Sequence, residues 1–324
     1  MNELLRGMLN GDTFALGRLI TMAENEQLEL GALMRQLRHR LGRAYLIGIT
    51  GAPGAGKSTV TARLIGLMVE TGLSVGVIAC DPSSPYSGGA VLGDRIRMSQ
   101  HTLASGVFIR SMATRGYHGG LSPTLHTVAS LLDAFGKDYI ILETVGVGQT
   151  ELDIANIADS NVLVLTPHAG DEIQAMKSGI MEIADVFVVN KMDRGEADAT
   201  VEDLQGVLRM RRKAGNWEPR IVKSQAVEGI GISDVFAAIE LHRRFASETG
   251  LRDRRRRISS KEAFCRTLDE VLMKRIRKAV TSSAEFSSYV AKVESGELDR
   301  YSACDELLAD KRMWRAMCGD PPAS

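Results

Sequence analysis

Eight residues, Gly51-Ala-Pro-Gly-Ala-Gly-Lys57-Ser58, constrain this chain more than any other stretch. They follow a short apolar run, 45–50, and open an amphipathic segment that starts near Lys57. Glycines at 51, 54 and 56 let the backbone turn several N–H groups toward one point, where a helix N-terminus adds a favourable dipole. A G-x-x-x-x-G-K-S stretch between a strand and a helix is a phosphate-binding loop. Gly51, Ala52, Gly54, Ala55, Gly56 and Thr59 form the predicted cradle. Lys57 is placed to reach the β- and γ-phosphates, and Ser58 carries a hydroxyl of the kind that ligates magnesium.

The rest of the chain supplies the frame such a loop needs. Short apolar, β-branched runs at 45–50, 74–79, 106–110, 138–142, 161–166, 185–189 and 220–222 alternate with amphipathic segments. That alternation predicts an α/β fold, a mainly parallel sheet flanked by helices. Ahead of it, leucines at helical spacing with a break at Gly11 predict a pair of helices. After Gly231 the strand signals stop, and a charged helical tail follows, interrupted near Gly250 and Gly296. The expected division is an N-terminal helical extension over 1–42, a nucleotide-hydrolase domain over 43–248 and a C-terminal helical region over 249–324.

Magnesium at a phosphate loop needs carboxylates at neighbouring strand ends. Asp81 follows the run 74–79, and Glu143 ends Tyr139-Ile-Ile-Leu142. Either is expected to hold the metal, directly or through water.

The base is read farther along. Asn190-Lys191-Met192-Asp193 follows the apolar run Asp185-Val-Phe-Val-Val189, as the guanine-reading N-K-x-D motif does. A carboxylate at Asp193 accepts hydrogen bonds from N1–H and the exocyclic amine of guanine, a donor pair that adenine lacks. Discrimination built on such contacts reaches on the order of 10⁴. Ser224-Gln225-Ala226, after run 220–222, resembles the second base loop, with the Ala226 amide facing guanine O6.

Composition narrows the partners. Forty basic residues balance forty acidic ones, so no global field draws the protein to nucleic acid or an anionic membrane. No apolar run approaches the roughly 20 residues of a membrane span, and the start lacks a signal-peptide pattern, so a cytoplasmic location is expected. Cys80, Cys265, Cys304 and Cys318 are scattered, and the six histidines show no H-x-x-x-H spacing, which argues against a bound transition metal. Arg252 and the run Arg254–Arg257 read as the solvated face of a charged helix. Phe264, Leu268, Val271, Leu272 and Ile276 recur at helical spacing, forming either an internal core or a dimer seam.

Glu143-Thr-Val-Gly146 resembles the D-x-x-G switch of GTPases with glutamate substituted, so that the Gly146 amide senses the γ-phosphate. Four further strings stand in order with it: Asp81-Pro-Ser-Ser, Gly88-Gly-Ala-Val-Leu-Gly-Asp94-Arg-Ile-Arg97-Met, Arg115-Gly-Tyr-His-Gly-Gly-Leu121 and Asp171-Glu-Ile-Gln174-Ala-Met-Lys177-Ser-Gly179. With the switch extended to Gln149-Thr-Glu151, the set resembles the MeaB/ArgK family over about residues 40–240. The resemblance implies a homodimeric GTPase that binds GTP and GDP with Mg2+ and docks on an adenosylcobalamin-dependent acyl-CoA mutase. Cobalamin is then reached only through that partner, whose loading the GTPase gates and whose damaged cofactor it helps replace. Carried over by position, Asp81 and Glu143 are the magnesium-side carboxylates, Asp94 a second candidate there, and Gln174 with Lys177 part of a third switch. The chain departs from the pattern at Pro85-Tyr-Ser87, at Arg95-Ile and at Thr150, which leaves the identity of the client mutase open.

Where small GTPases often carry a water-orienting glutamine after the switch glycine, this chain has Val147. Slow intrinsic hydrolysis is therefore expected, with a docked partner bringing Gln149, Asp94 or a basic residue such as Arg97, Arg115 or Lys177 to the γ-phosphate. Lys57, Asp94, Glu143 and Gln149 are the candidate catalytic residues. Two other classes remain open at this point. One is a P-loop kinase passing the γ-phosphate to a protein or small molecule, and the other is a GTPase that delivers nickel or another metal.

Overall fold

The structure is a computed structural model that describes residues 2–25, 27, 30–81, 106–113, 123–144, 150–167, 179–195, 197–210, 217–281 and 284–309. Asp94, Gly146 and Gln149 lie outside the described residues, as do Val147, Arg97, Arg115, Gln174 and Lys177.

Helices α1 (Asn2–Leu9), α2 (Thr13–Glu24) and α3 (Leu30–Leu37) precede strand β1 (Tyr45–Thr50). The expected pair is thus three helices, and Gly11, at φ +92°, makes the break between the first two. Asp12 caps α2 by accepting from the Phe14 amide at 2.8 Å. There follow α4 (Lys57–Glu70), β2 (Val75–Asp81), β3 (Val107–Ala113), α5 (Pro123–Phe135), β4 (Tyr139–Glu143), α6 (Thr150–Ile157) and β5 (Ser160–Leu165). Then come α7 (Ile180–Ile183), β6 (Val186–Asn190), α8 (Ala197–Met210), β7 (Arg220–Ser224), α9 (Ile232–Glu248), α10 (Leu251–Thr281), α11 (Ala284–Glu294) and α12 (Arg300–Ala309).

The seven strands form one parallel sheet in the order β3-β2-β4-β1-β5-β6-β7. Each predicted run is a strand, and β2 extends two residues farther than expected, so that Asp81 is its last residue. Residues of β4, β5 and β6 are buried throughout, as strands covered on both faces must be. Alternation sorts their side chains. Ile140 and Leu142 pack with α1, α2, α3 and α5, whereas Ile141, Val162, Val164 and Val188 face α4 and α9. The N-terminal helices are therefore part of the sheet's own covering layer. Asp133 of α5 ties the chain entering β1 to that layer by accepting from the amides of Gly42, Arg43 and Ala44.

Two compact units are present, Met1–Ser259 and Ser260–Ser324. In the second, Phe264 is 67% exposed, and Leu268, Val271 and Leu272 are exposed as well. Among the described residues these four do not form a buried core.

Candidate functional site

Among the described residues, the phosphate loop, Glu143, Asn190–Asp193 and Ser224–Ala226 stand at the carboxyl ends of β1, β4, β6 and β7, the edge where ligands bind in open parallel sheets. The phosphate loop leaves β1 at Gly51 and enters α4 at Lys57. Two of its glycines have no alternative. Gly51, at φ +140°, would place a Cβ 2.1 Å from the Val164 carbonyl oxygen, and Gly56, at φ +96°, would place one 2.3 Å from Asn190 Nδ2. Lys57 is buried, and its Nζ donates to the carbonyls of Gly51 at 2.8 Å and Ala52 at 3.0 Å, folding the side chain back over its own loop.

Ser58 and Glu143 are brought together across 85 residues: Ser58 Oγ donates to Glu143 Oε1 at 2.5 Å. Both are buried, at 8% and 2% exposure. A hydroxyl and a carboxylate oxygen side by side under the loop form a hard-oxygen pair of the type magnesium takes, with its remaining positions left to phosphate and water. Asp81 ends β2, on the far side of β4 from the phosphate loop, and its side chain lies outside the described residues. Among the described residues no group of three or more His, Cys, Asp or Glu could hold a metal.

Asn190 joins the three loops. At the end of β6 and 2% exposed, it donates Nδ2 to the Ala55 carbonyl at 2.9 Å. Its Oδ1 accepts from Ser224 Oγ and from the Ala226 amide, each at 3.1 Å. The amide assigned from sequence to guanine O6 is thus engaged with Asn190 in this structure. Lys191, the one described non-glycine residue at positive φ (+60°), donates Nζ to the Gly54 carbonyl at 2.6 Å. The left-handed turn at Lys191 leads into a single 3-10 turn, Met192–Arg194, that leaves Asp193 exposed. Gln225 is the residue between the Ser224 hydroxyl and the Ala226 amide, and its own backbone pairs with Ile230.

One contributor escaped the sequence reading, and a second was quoted only as the end of the switch string. Arg63, on the α4 face beyond the phosphate loop, donates Nε to the Ala226 carbonyl at 3.1 Å and NH2 to that of Val227, fixing the second base loop to the phosphate-loop helix. Glu151, in the first turn of α6, is buried, and burial raises its carboxyl above the usual range while the Lys57 charge favours the ionised form. The first has no local signal because its partners lie 163 and 164 residues away.

The arginines of early α10 correct the solvated-face reading. Arg255 holds Asp185 through two bonds, at 2.7 and 2.8 Å. Arg256 holds Asp159 at 2.8 and 2.6 Å and also donates to the Ala44 carbonyl. Arg252 donates to that carbonyl at 3.0 Å. Only Arg254 and Arg257 of the run are exposed. Asp185 and Asp159, both buried, stand just before β6 and β5, at the end of the sheet opposite the phosphate loop. His242 of α9, fully buried, completes this polar layer, its Nδ1 2.5 Å from Ser160 Oγ and its Nε2 3.3 Å from Asp185 Oδ1. Burial drives its pKa below the ordinary histidine value, with Asp185 pulling the other way. A cavity of about 950 Å³ opens beside the layer, but Arg209, Arg220 and Arg254 face it together with Glu182 and Glu218. With both signs of charge around it, it selects no one class of ligand.

A family model described as methylmalonyl-CoA mutase-associated GTPase MeaB matches residues 16–281. A Pyrococcus abyssi protein assigned as a GTPase is 42% identical over 314 residues, 96% of each chain. The mitochondrial methylmalonic aciduria type A homolog of Mus musculus is 30% identical over 327 residues, covering 95% of this chain and 79% of that one. A crystal structure described as LAO/AO transport system kinase superposes with a TM-score of 0.69 at 27% identity, covering 95% of this chain and 96% of that one. The family-model match over 16–281 places the chain in the MeaB family of P-loop GTPases, to which it belongs.

Proposed function

We propose that this protein is a GTP-hydrolysing chaperone that binds an adenosylcobalamin-dependent acyl-CoA mutase, methylmalonyl-CoA mutase or a relative, gates loading of its cofactor and protects or reactivates it. The observation that carries the reading is the family match over 16–281, whose description names a mutase-associated GTPase. In this reading the cradle 51–59 holds the phosphates, Lys57 reaches the β- and γ-phosphates, and Asp193 reads guanine with Asn190, Lys191 and the loop Ser224–Ala226 behind it. Ser58, Asp81, Asp94 and Glu143 hold Mg2+, which when bound neutralises charge on the phosphate oxygens. Gly146 senses the γ-phosphate, and Gln149 or Asp94 assists a slow hydrolysis that the docked mutase accelerates.

Dimerisation is assigned to the region 249–324, where the exposed Phe264, Leu268, Val271 and Leu272 recur along one helix. The residues 1–42 are the helical extension and 43–248 the GTPase domain, acting in the cytoplasm. Among the described residues no helix is long and apolar enough to cross a membrane.

Turnover of GTP by the full chain with magnesium, alone and with a panel of apo and holo cobalamin-dependent acyl-CoA mutases, tests the reading. Acceleration by one mutase supports it and names the client. A rate indifferent to every mutase removes the chaperone role. A kinase reading takes its support from the name of the LAO/AO structure. Transfer of the γ-phosphate to a protein or small molecule, in place of release to water, would establish it.

A further inference from the structure

The loop that follows β7 is fastened by its own backbone, by the sheet and by the phosphate-loop helix. Its ends pair with each other, the Gln225 amide donating to the Ile230 carbonyl at 3.0 Å and the Ile230 amide to the Gln225 carbonyl at 3.2 Å. On the sheet side Asn190 Oδ1 accepts from Ser224 Oγ and from the Ala226 amide. The last hold is Arg63, in the second turn of α4, whose Nε donates to the Ala226 carbonyl at 3.1 Å and whose NH2 donates to the Val227 carbonyl. Both carbonyls belong to the single 3-10 turn Ala226–Glu228.

Arg63 is itself exposed, so its role is not to fill the core. A planar guanidinium meeting two acceptors fixes direction as well as distance. Ala226 therefore offers its N–H toward Asn190 and its carbonyl toward α4. Purines differ at position 6 in the sign of the group they present: guanine and hypoxanthine carry an acceptor oxygen, adenine a donor amine. A loop that brings a donor to that edge pairs with the first kind and is left with an unpaired donor by the second.

We propose that Arg63 is a positioning residue for base recognition: by holding the Ala226 and Val227 carbonyls to α4 it keeps the Ala226 N–H at the edge that meets position 6, and so sets the preference for 6-oxo over 6-amino purine nucleotides. The N–H that Asn190 holds in this structure is shared with the 6-oxygen when a base is bound, which requires the loop to stay in place. Asp193 meets N1–H and the exocyclic amine, so the two contacts are separable. The proposal rests on the guanine-nucleotide reading of the site.

The test is equilibrium binding of GDP, IDP and ADP to the full chain with magnesium, in wild type and R63M, with the thermal midpoint measured alongside. Methionine keeps an unbranched stem and removes both donors. IDP retains the 6-oxygen and N1–H and lacks only the amine, whereas ADP lacks the 6-oxygen. R63M is expected to weaken GDP and IDP by the same factor, roughly three- to tenfold, about the worth of one hydrogen bond, and not to weaken ADP. The GDP:ADP preference then falls by that factor while the GDP:IDP ratio holds. A merely structural brace weakens all three nucleotides alike, or lowers the midpoint and leaves binding unchanged, and either result overturns the proposal. Should R63M fail to fold, R63K, which keeps the charge without the fork, is expected to show a smaller fall in the GDP:ADP preference, and an unchanged preference overturns the proposal. A wild type with no preference for GDP over ADP overturns the guanine reading and this proposal together, before any variant is made.

Discussion

Asn190 donates its side-chain amide to the Ala55 carbonyl oxygen at 2.9 Å, across 135 residues of chain. One buried amide thereby sets the distance between the phosphate loop and the base loops, because its oxygen simultaneously accepts from Ser224 and Ala226. Asn190→Ala leaves a buried carbonyl and two donors without these bonds, at about 1–3 kcal/mol for each group that water cannot reach. The expected outcome is a lower thermal midpoint and a GDP affinity reduced by on the order of tenfold or more. A variant with wild-type midpoint and affinity would show that the junction is incidental.

Asp193 is exposed on its 3-10 turn, available to a base. An asparagine there offers an N–H₂ donor in place of one carboxylate oxygen, which mismatches the guanine amine and suits the C2 carbonyl of xanthine. Asp193→Asn should therefore lose affinity for GDP and gain it for XDP, as competition binding reads directly. Retained preference for GDP would move base reading elsewhere.

Asp185 and Arg255 form a two-bond pair in which the carboxylate is buried and also accepts from the Asn161 amide at 2.9 Å. Removing one partner of such a pair costs about 3–5 kcal/mol, since the other charge stays desolvated. Asp185→Ala is expected to lower the denaturation midpoint strongly, and adding Arg255→Met should restore part of the loss. Additive losses in the double variant would mean that the two side chains are not coupled.

His242 ties stability to pH. Its folded pKa lies below its unfolded one because burial disfavours the imidazolium. The unfolded chain therefore binds a proton that the folded chain refuses, so stability is full above about pH 6.5 and falls as pH drops, by up to about 1.4 kcal/mol per unit. Unfolding free energies from pH 8 to 5 in wild type and His242→Gln should diverge in slope below pH 6.5. Parallel slopes would assign the acid sensitivity to other groups.

The strands were legible in sequence because a parallel sheet covered on both faces leaves unbroken apolar runs, such as Tyr139–Leu142, bounded by turn residues. The phosphate loop and the Asn190–Asp193 segment were legible because their chemistry is contained in consecutive residues. What local spacing could not show is pairing at long range. Arg255 and Arg256 look like solvated charge until their partners, Asp185 and Asp159, are found 70 and 97 residues earlier at the starts of β6 and β5. Arg63 is an ordinary basic residue of an amphipathic helix until β7 brings Ala226 beneath it. The Ala226 amide was matched to guanine by resemblance, whereas in this structure it is Asn190 that holds it.

The central claim is that this site takes guanine nucleotides by virtue of the Asn190 junction and the exposed Asp193. Equilibrium binding of GDP and ADP to the full chain with magnesium tests it most directly. The account predicts GDP preferred by on the order of 10³-fold or more, since adenine cannot supply the two donors that a buried or base-covered carboxylate requires. Equal affinity for the two, or a preference for ADP, would contradict it.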